Sequence, residues 1–340
     1  MKKSIALLSS LLLLSGCGLS KEEVIKRIDH DQQYQVKSVE IPYQDFSNPS
    51  LDKDELYATV NDKSTGTNKL IRMNIKTKKI TSIFKSKFSD PMIQGSMVNK
   101  DWLIWVDAVA DGERNKTYVM NKKTKKITKI SAAVPGQYTA DAPFLYKDYV
   151  AFVYVKEKRE SVVRIYDLKH NTYKDVAKIN NLQLYNNFVH MAEGKLVWTD
   201  SISDKGYYYV YDLKTGQINS YESPFKYPGY AKLTNNKIFA IHFDDFRFWT
   251  NQHFGYYDIN EKEFVDVDTH SLYINSFDVH GNSLAIIDDK EFGMYQLSNK
   301  GIRRMEVKIK TQPNLISFSS SGKVLVSYYS DLKPVVKIVE

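Results

Sequence analysis

Val210-Tyr211-Asp212-Leu213-Lys214-Thr215-Gly216-Gln217-Ile218 reads as a strand, a tight turn and the opening of a second strand. Val and Tyr suit a pleated, half-buried surface. An Asp that can bond its own backbone, followed by a Gly, supplies the chemistry of a turn. The same rhythm recurs as Arg72-Met73-Asn74-Ile75-Lys76-Thr77-Lys78-Lys79-Ile80 and as Val119-Met120-Asn121-Lys122-Lys123-Thr124-Lys125-Lys126-Ile127. Shorter copies are Ile165-Tyr166-Asp167-Leu168-Lys169, Tyr256-Tyr257-Asp258-Ile259-Asn260 and the degenerate Met294-Tyr295-Gln296-Leu297. The chain ends on Val336-Lys337-Ile338-Val339, where a seventh copy falls. Anchored on Asn74, Asn121, Asp167, Asp212, Asp258, Gln296 and Val339, the steps are 47, 46, 45, 46, 38 and 43 residues. A period of that size announces an array of four-stranded units.

A second apolar strand precedes each anchor, as in Leu103-Ile104-Trp105-Val106-Asp107, Leu196-Val197-Trp198-Thr199-Asp200 and Leu284-Ala285-Ile286-Ile287-Asp288. A weaker segment such as Met92 to Val98 lies upstream of it. Each unit therefore reads as inner strand, apolar strand, anchor strand and outer strand. The expected fold is all-β: a β-propeller of seven four-stranded blades over residues 34–340, with six or eight blades or a sandwich array as the fallback. A ring buries both faces of every sheet against its neighbours. The last copy stops after its third strand, and Tyr34-Gln35-Val36-Lys37-Ser38-Val39 is expected to supply the fourth.

On these residues the chain resembles TolB-like and related bacterial propeller repeats. Val197-Trp198-Thr199-Asp200 is similar to the YWTD motif. The resemblance implies architecture and leaves activity open, because propellers host unrelated functions.

The N-terminus carries a separate message. Met1-Lys2-Lys3 is a short positive region, and Ser4 to Leu14 is an apolar run too short for a bilayer span. Leu14-Ser15-Gly16-Cys17 resembles the bacterial lipobox. That resemblance implies a signal peptide over residues 1–16, cleavage before Cys17 and acylation of its thiol, palmitate included. The expected location is the cell membrane, lipid-anchored and facing outside the cytoplasm, with residues 17–33 as a tether. Val24, Ile25 and Ile28 are spaced for a short amphipathic helix within that tether.

Cys17 is the single cysteine, so an internal disulfide and a thiolate metal cluster are both excluded. The net charge of +8 becomes about +6 without Lys2 and Lys3, and its lysines read as a solvated surface. No nucleic-acid module is present and no nucleic-acid partner is expected. No P-loop, His-Glu-x-x-His, Gly-x-Ser-x-Gly or EF-hand pattern occurs, so neither a cofactor nor a metal is expected. The seven histidines show no ligand spacing. Asp107, Asp111 and Glu113 share one loop but supply too few oxygens for calcium. Asp244-Asp245 and Asp288-Asp289 read as turn residues.

The candidate binding residues are aromatic. Asp245 to Phe254, with Phe246, Arg247, Phe248 and Trp249, reads as a long loop in the fifth blade. Tyr221 to Tyr230, with Tyr227 and Tyr230, reads as the loop joining blades four and five. Both belong on one face of the disc, where Tyr, Trp and Arg serve as binding anchors. His242 is placed at the end of an inner strand by the channel mouth. The functional expectation is a monomeric, non-enzymatic binding or scaffold protein for a protein, peptide or glycan partner. The alternative is an envelope hydrolase or lyase acting on a polymer at the propeller face. Growth with labelled palmitate tests the anchor: the chain should take up label and fractionate with membranes, and Cys17→Ser should abolish both.

Overall fold

The structure, a computed structural model, describes residues 22–24 and 34–340, except 63–65, 110–113, 134–141, 157–159, 246, 248–249, 270, 299–300, 310 and 329–334. Among the described residues all helix and strand structure is β, arranged as seven sheets. Blade 1 comprises Phe46–Asp52, Glu55–Val60, Lys69–Asn74 and Ile80–Lys85, from innermost to outermost strand. Blades 2 to 6 repeat that order, their innermost strands being Pro91–Val98, Phe144–Tyr146, His190–Ala192, Tyr227–Thr234 and Ile274–His280. Blade 7 is Leu315–Phe318, Val324–Tyr328 and Val335–Val339, completed by Val36–Glu40. The N-terminal strand therefore closes the ring. Val39 pairs antiparallel with Val336, and Lys37 with Ile338.

Burial explains why the second strand of each unit is so apolar. In Trp102–Val109 every residue after Trp102 is buried, because both faces of the sheet meet a neighbouring blade. Successive side chains point to opposite faces. Leu103 and Trp105 accordingly pack with Tyr57 and Leu70 of blade 1, whereas Ile104 packs with Val150 and Phe152 of blade 3. The core is thus seven separate layers, one per gap between blades. In the closing layer Val39, Leu325, Val336 and Ile338 of blade 7 meet Leu56, Ala58 and Ile71 of blade 1.

The anchor residues act as turn formers. Asp212 accepts backbone N–H bonds from Lys214 and Thr215 at 2.9 and 2.7 Å, and Asn74 and Asn121 do the same in their blades. These turns and the hairpins between first and second strands lie on one face, called here the turn face. Blade-to-blade connections and the links between second and third strands lie on the other, the entry face.

The tether departs from the expected helix. Glu22–Val24 is a strand that adds parallel to the outer strand Glu263–Asp268 of blade 5, with Glu22 opposite Asp266 and Val24 opposite Asp268. An outer strand offers an unpaired row of N–H and C=O groups, and an extended segment satisfies it where a helix cannot. Residues 25–33 lie outside the described residues.

Ring closure has a measurable energetic signature. Ile338→Ala, at a site 1% exposed, should lower unfolding free energy by about 2–5 kcal/mol in urea titrations. Lys37→Ala, on the exposed side of the same strand pair, should stay within about 0.5 kcal/mol.

Candidate functional site

The seven innermost strands surround a channel. At the entry face it opens as a cavity of about 810 Å³, and at the turn face as one of about 700 Å³. Pro49, Ser96, Met97, Phe144, His190, Asp278 and Ser317 line both halves and form the waist. Phe144, Phe188, Tyr230, Phe243, Tyr273 and Phe277 make the entry mouth largely aromatic, with Asn48, Gln252 and Asn275 among its polar groups. A concave, mainly apolar site with a few convergent polar groups is the usual form of a ligand pocket.

Tyr230 holds its place through an unusual backbone. Inner strands bulge at corresponding positions: pairing shifts between Ser47 and Ser50, between Gln94 and Met97, and between Gly229 and Lys232. The first bulged residue has positive φ in each: Asn48 at 44°, Gly95 at 63° and Tyr230 at 52°. Asn and Gly are natural there, but a bulky aromatic is a rarity that marks strain at functional positions. Gly229 makes the approach possible, since a Cβ there would meet the Tyr185 carbonyl oxygen at 2.7 Å. The Tyr230 N–H donates to that oxygen at 3.1 Å. Its ring lies 4.7 Å from Phe188 and 6.5 Å from Phe243, and burial pushes its hydroxyl up to about 12. Tyr185 continues the band outward, with its ring 5.7 Å from Tyr227.

The two charged residues that line the entry half, Lys232 and Asp278, are paired. Lys232 Nζ donates to Asp278 Oδ1 at 2.8 Å and to the Phe277 carbonyl at 2.7 Å. Asp278 Oδ2 accepts the Phe318 N–H at 2.7 Å, so this carboxylate ties blades 5, 6 and 7 together. His190 Nδ1 accepts the Leu233 N–H at 3.2 Å, which puts the imidazole proton on Nε2. Burial, reinforced by the Lys232 charge, lowers its pKa to about 3. Neutral His190, facing Phe144 at 4.5 Å, is therefore a hydrogen-bonding group of the waist and not a cation.

The sequence-derived candidates divide. Tyr230 lines the channel mouth, whereas Tyr227 is not among its lining residues and packs on Tyr185. Arg247 is exposed and pairs with Asp245 at 2.5 Å, holding that carboxyl down to about 2. His242 is 0% exposed, so it does not face the channel mouth. It hydrogen-bonds Tyr208 and packs under Phe225 and Phe264 in the gap between blades 4 and 5, and burial lowers its pKa to about 3. Phe246, Phe248 and Trp249 lie outside the described residues.

The two expected loops are also shorter than read. Gln252, His253 and Phe254 pair with Phe243, His242 and Ile241, because continuing the ladder satisfies their backbone groups. Only residues 246–249 separate the two strands. Tyr221 lies within the outer strand Ile218–Ser223 of blade 4 and Tyr227 begins the inner strand of blade 5, leaving Pro224 to Lys226 as the connection. Phe225 stacks on His253 at 4.4 Å and so fills a gap between blades.

Asp288 is a turn residue as expected, accepting the N–H groups of Lys290 and Glu291 at 2.8 Å each. Asp107 is buried, which raises its carboxyl pKa; Asp111 and Glu113 lie outside the described residues. Phe188, His190, Lys232, Phe243, Tyr273 and Asp278 escaped the sequence reading. Their signal is one of register: His190, Lys232 and Asp278 lie on inner strands at steps of 42 and 46 residues, about one blade each, and the rings sit beside or behind those strands.

No protein-family model matches this chain, and no curated protein matches it in sequence. Solved structures do. Oligogalacturonate lyase from Vibrio parahaemolyticus superposes with a TM-score of 0.58 at 8% identity, over 91% of this chain and 97% of that one. The β-propeller domain of the Trilobed protease from Pyrococcus furiosus gives 0.51 at 12% identity, over 72% and 79%. TolB from Acinetobacter baumannii gives 0.49 at 11%, over 96% and 86%. The chain is a seven-bladed β-propeller. At these identities the likeness concerns the fold alone.

Two buried histidines make stability depend on pH. Both have folded pKa values near 3, below the ordinary 6.5, so the unfolded chain binds more protons between those values. Their stabilisation is complete above pH 6.5 and is lost as pH falls towards 3, by at most about 1.4 kcal/mol per pH unit for each histidine. Urea unfolding between pH 7 and pH 4 should show this slope, and His242→Gln should make it shallower.

Proposed function

We propose that this propeller is a non-enzymatic binding protein, held outside the cytoplasm by acylation of Cys17, which takes a protein or peptide segment at the entry-face mouth of its channel. The aromatic mouth built around the strained Tyr230 carries this reading. It presents rings from blades 3 to 6, and its wall charges, Lys232 and Asp278, already neutralise each other. A hydrolytic site needs ionisable groups poised for proton transfer; here the pair is committed to backbone and to itself. Leu272 and Tyr273, in the connection from blade 5 to blade 6, are 80% and 45% exposed. Tyr273 also lines the channel. Leu184, in the connection from blade 3 to blade 4, is 66% exposed. Exposed apolar groups gathered around a concave mouth mark an interaction surface, and aromatic anchors contribute most where water is excluded.

The test is capture of partners from envelope extracts by the wild-type chain and by Leu272→Ala/Tyr273→Ala. Both side chains are exposed, so stability should change by less than about 1 kcal/mol. Partner retention should fall by about tenfold or more, the loss of one hot-spot contact. A folded double variant that retains every partner at the wild-type level would overturn the reading.

A further inference from the structure

Charge is distributed unevenly on the turn face. In blades 1 to 3, the turns at residues 53–54, 75–79, 100–101, 122–126, 147–148 and 168–170 carry eleven lysines against three aspartates. In blades 4 to 6 the corresponding turns at residues 193–194, 213–216, 235–236, 259–262 and 281–282 carry Lys214 and Lys262 against Glu193 and Glu261, and residues 299–300 of the sequence add Lys300. Lys76 and Lys169 pair with Asp54 and Asp148. Lys78, Lys79, Lys123, Lys125 and Lys126 are all exposed, and no described acid pairs with them.

Turn chemistry does not account for these lysines. Lys78 and Lys125 both have φ of 61°, and the same position in blade 4 is Gly216 at 72°. Lys53 and Lys147, in the hairpins of blades 1 and 3, have φ of 55° and 51°. The left-handed region favours Gly and Asn, and other side chains meet the backbone there. Lysine stands repeatedly where glycine would relieve that strain: of the five left-handed lysines, Lys53, Lys78, Lys125 and Lys147 fall in blades 1 to 3 and Lys262 in blade 5.

The N-terminal strand is oriented with respect to the same face. Glu22–Val24 runs parallel to the outer strand of blade 5, and that strand starts at the turn after Asp258. The N-terminal end of that short strand, at Glu22, is therefore the end nearer the turn face. Cys17 stands five residue steps before Glu22, a reach of at most about 18 Å. Blade 5 lies across the channel from blades 1 and 2.

We propose that the lysine sector of blades 1 to 3 docks on the anionic phospholipid surface of the membrane, so that the disc lies with its turn face down and its aromatic mouth directed away. The orientation, though not the lipid contact itself, rests on the Cys17 anchor proposed above. Acyl chains at one edge and basic groups at the other form a two-signal attachment. Basic residues near an anionic surface attract it individually and are screened by salt.

The test separates the sector from the anchor. The ring closes on residues 36–340, so a chain beginning at residue 17 and carrying Cys17→Ser keeps every described element and has no thiol to acylate. It is sedimented with vesicles of phosphatidylcholine, with and without phosphatidylglycerol. Binding should require phosphatidylglycerol and fade as salt rises. Lys78→Glu/Lys125→Glu/Lys126→Glu should weaken it by at least about tenfold, and Lys214→Glu/Lys262→Glu by less than about twofold. Thermal melts confirm that both variants are folded. Equal binding to the two vesicle types, or equal loss in the two variants, overturns the proposal. So does preference for soluble poly(glycerol phosphate) with none for vesicles, which would assign the sector to a wall polymer. None of these outcomes depends on Leu272 or Tyr273, so failure here leaves the entry-face reading untouched.

Discussion

A four-stranded sheet with two apolar faces cannot stand alone in water, and every other feature of this molecule follows from how the chain answers that constraint. Each blade buries one face against the blade before it and the other against the blade after it. That arrangement is complete only if the last blade also meets the first. The pairing of Val36–Glu40 with Val335–Val339 performs the closure, and Val39, Val336 and Ile338 then seal the final gap against Leu56, Ala58 and Ile71. Contacts within blades are local in sequence; this one joins the two ends of the chain. Without it, Leu56 and Ile71 on one side and Ile338 on the other would face solvent.

Closure also creates the channel and gives it a chemical asymmetry. The longer inner strands, in blades 1, 2, 5 and 6, are bulged, and the bulges turn particular residues towards the axis. Tyr230 is directed there from a conformation that Asn48 and Gly95 adopt more readily. The wall polar groups are used in cross-blade bonds: Asp278 receives Lys232 from blade 5 and the Phe318 N–H from blade 7. The same contacts that stiffen the ring neutralise its inner charges, leaving aromatic surface as the main feature of the entry mouth. On the opposite face, short turns constrained by Asn and Asp hold lysines outward on blades 1 to 3.

Much of this architecture was legible in the residues. The Asp212 turn and its copies have a local cause, a side chain bonding the backbone two and three residues on, and so could be read without the fold. The apolar second strands could be read because burial on both faces removes alternation. The site was less legible. Tyr230 was singled out for its neighbours in sequence, yet it matters through a bulge that no composition reveals. From sequence His242 is expected at the channel mouth because it is placed at the end of an inner strand, whereas it lies on the second strand of blade 5 with Tyr208, Phe225 and Phe264 as partners in the gap between blades. The stretch around Gln252 and His253 looked like a loop because it is polar and aromatic, and ladder pairing with Phe243 and His242 overrode that.

By itself the sequence determined the repeat, the strand order within each blade, the closing role of residues 36–39 and the absence of disulfides, because these depend on short-range turn chemistry, periodicity and a single cysteine. Only the tertiary structure decided which residues meet at the channel. His190, Lys232 and Asp278 are separated by nearly a full blade in sequence, and they become neighbours through the rotation from one blade to the next. Periodicity gives the length of that step but not the bulges and side-chain directions that determine what faces the axis.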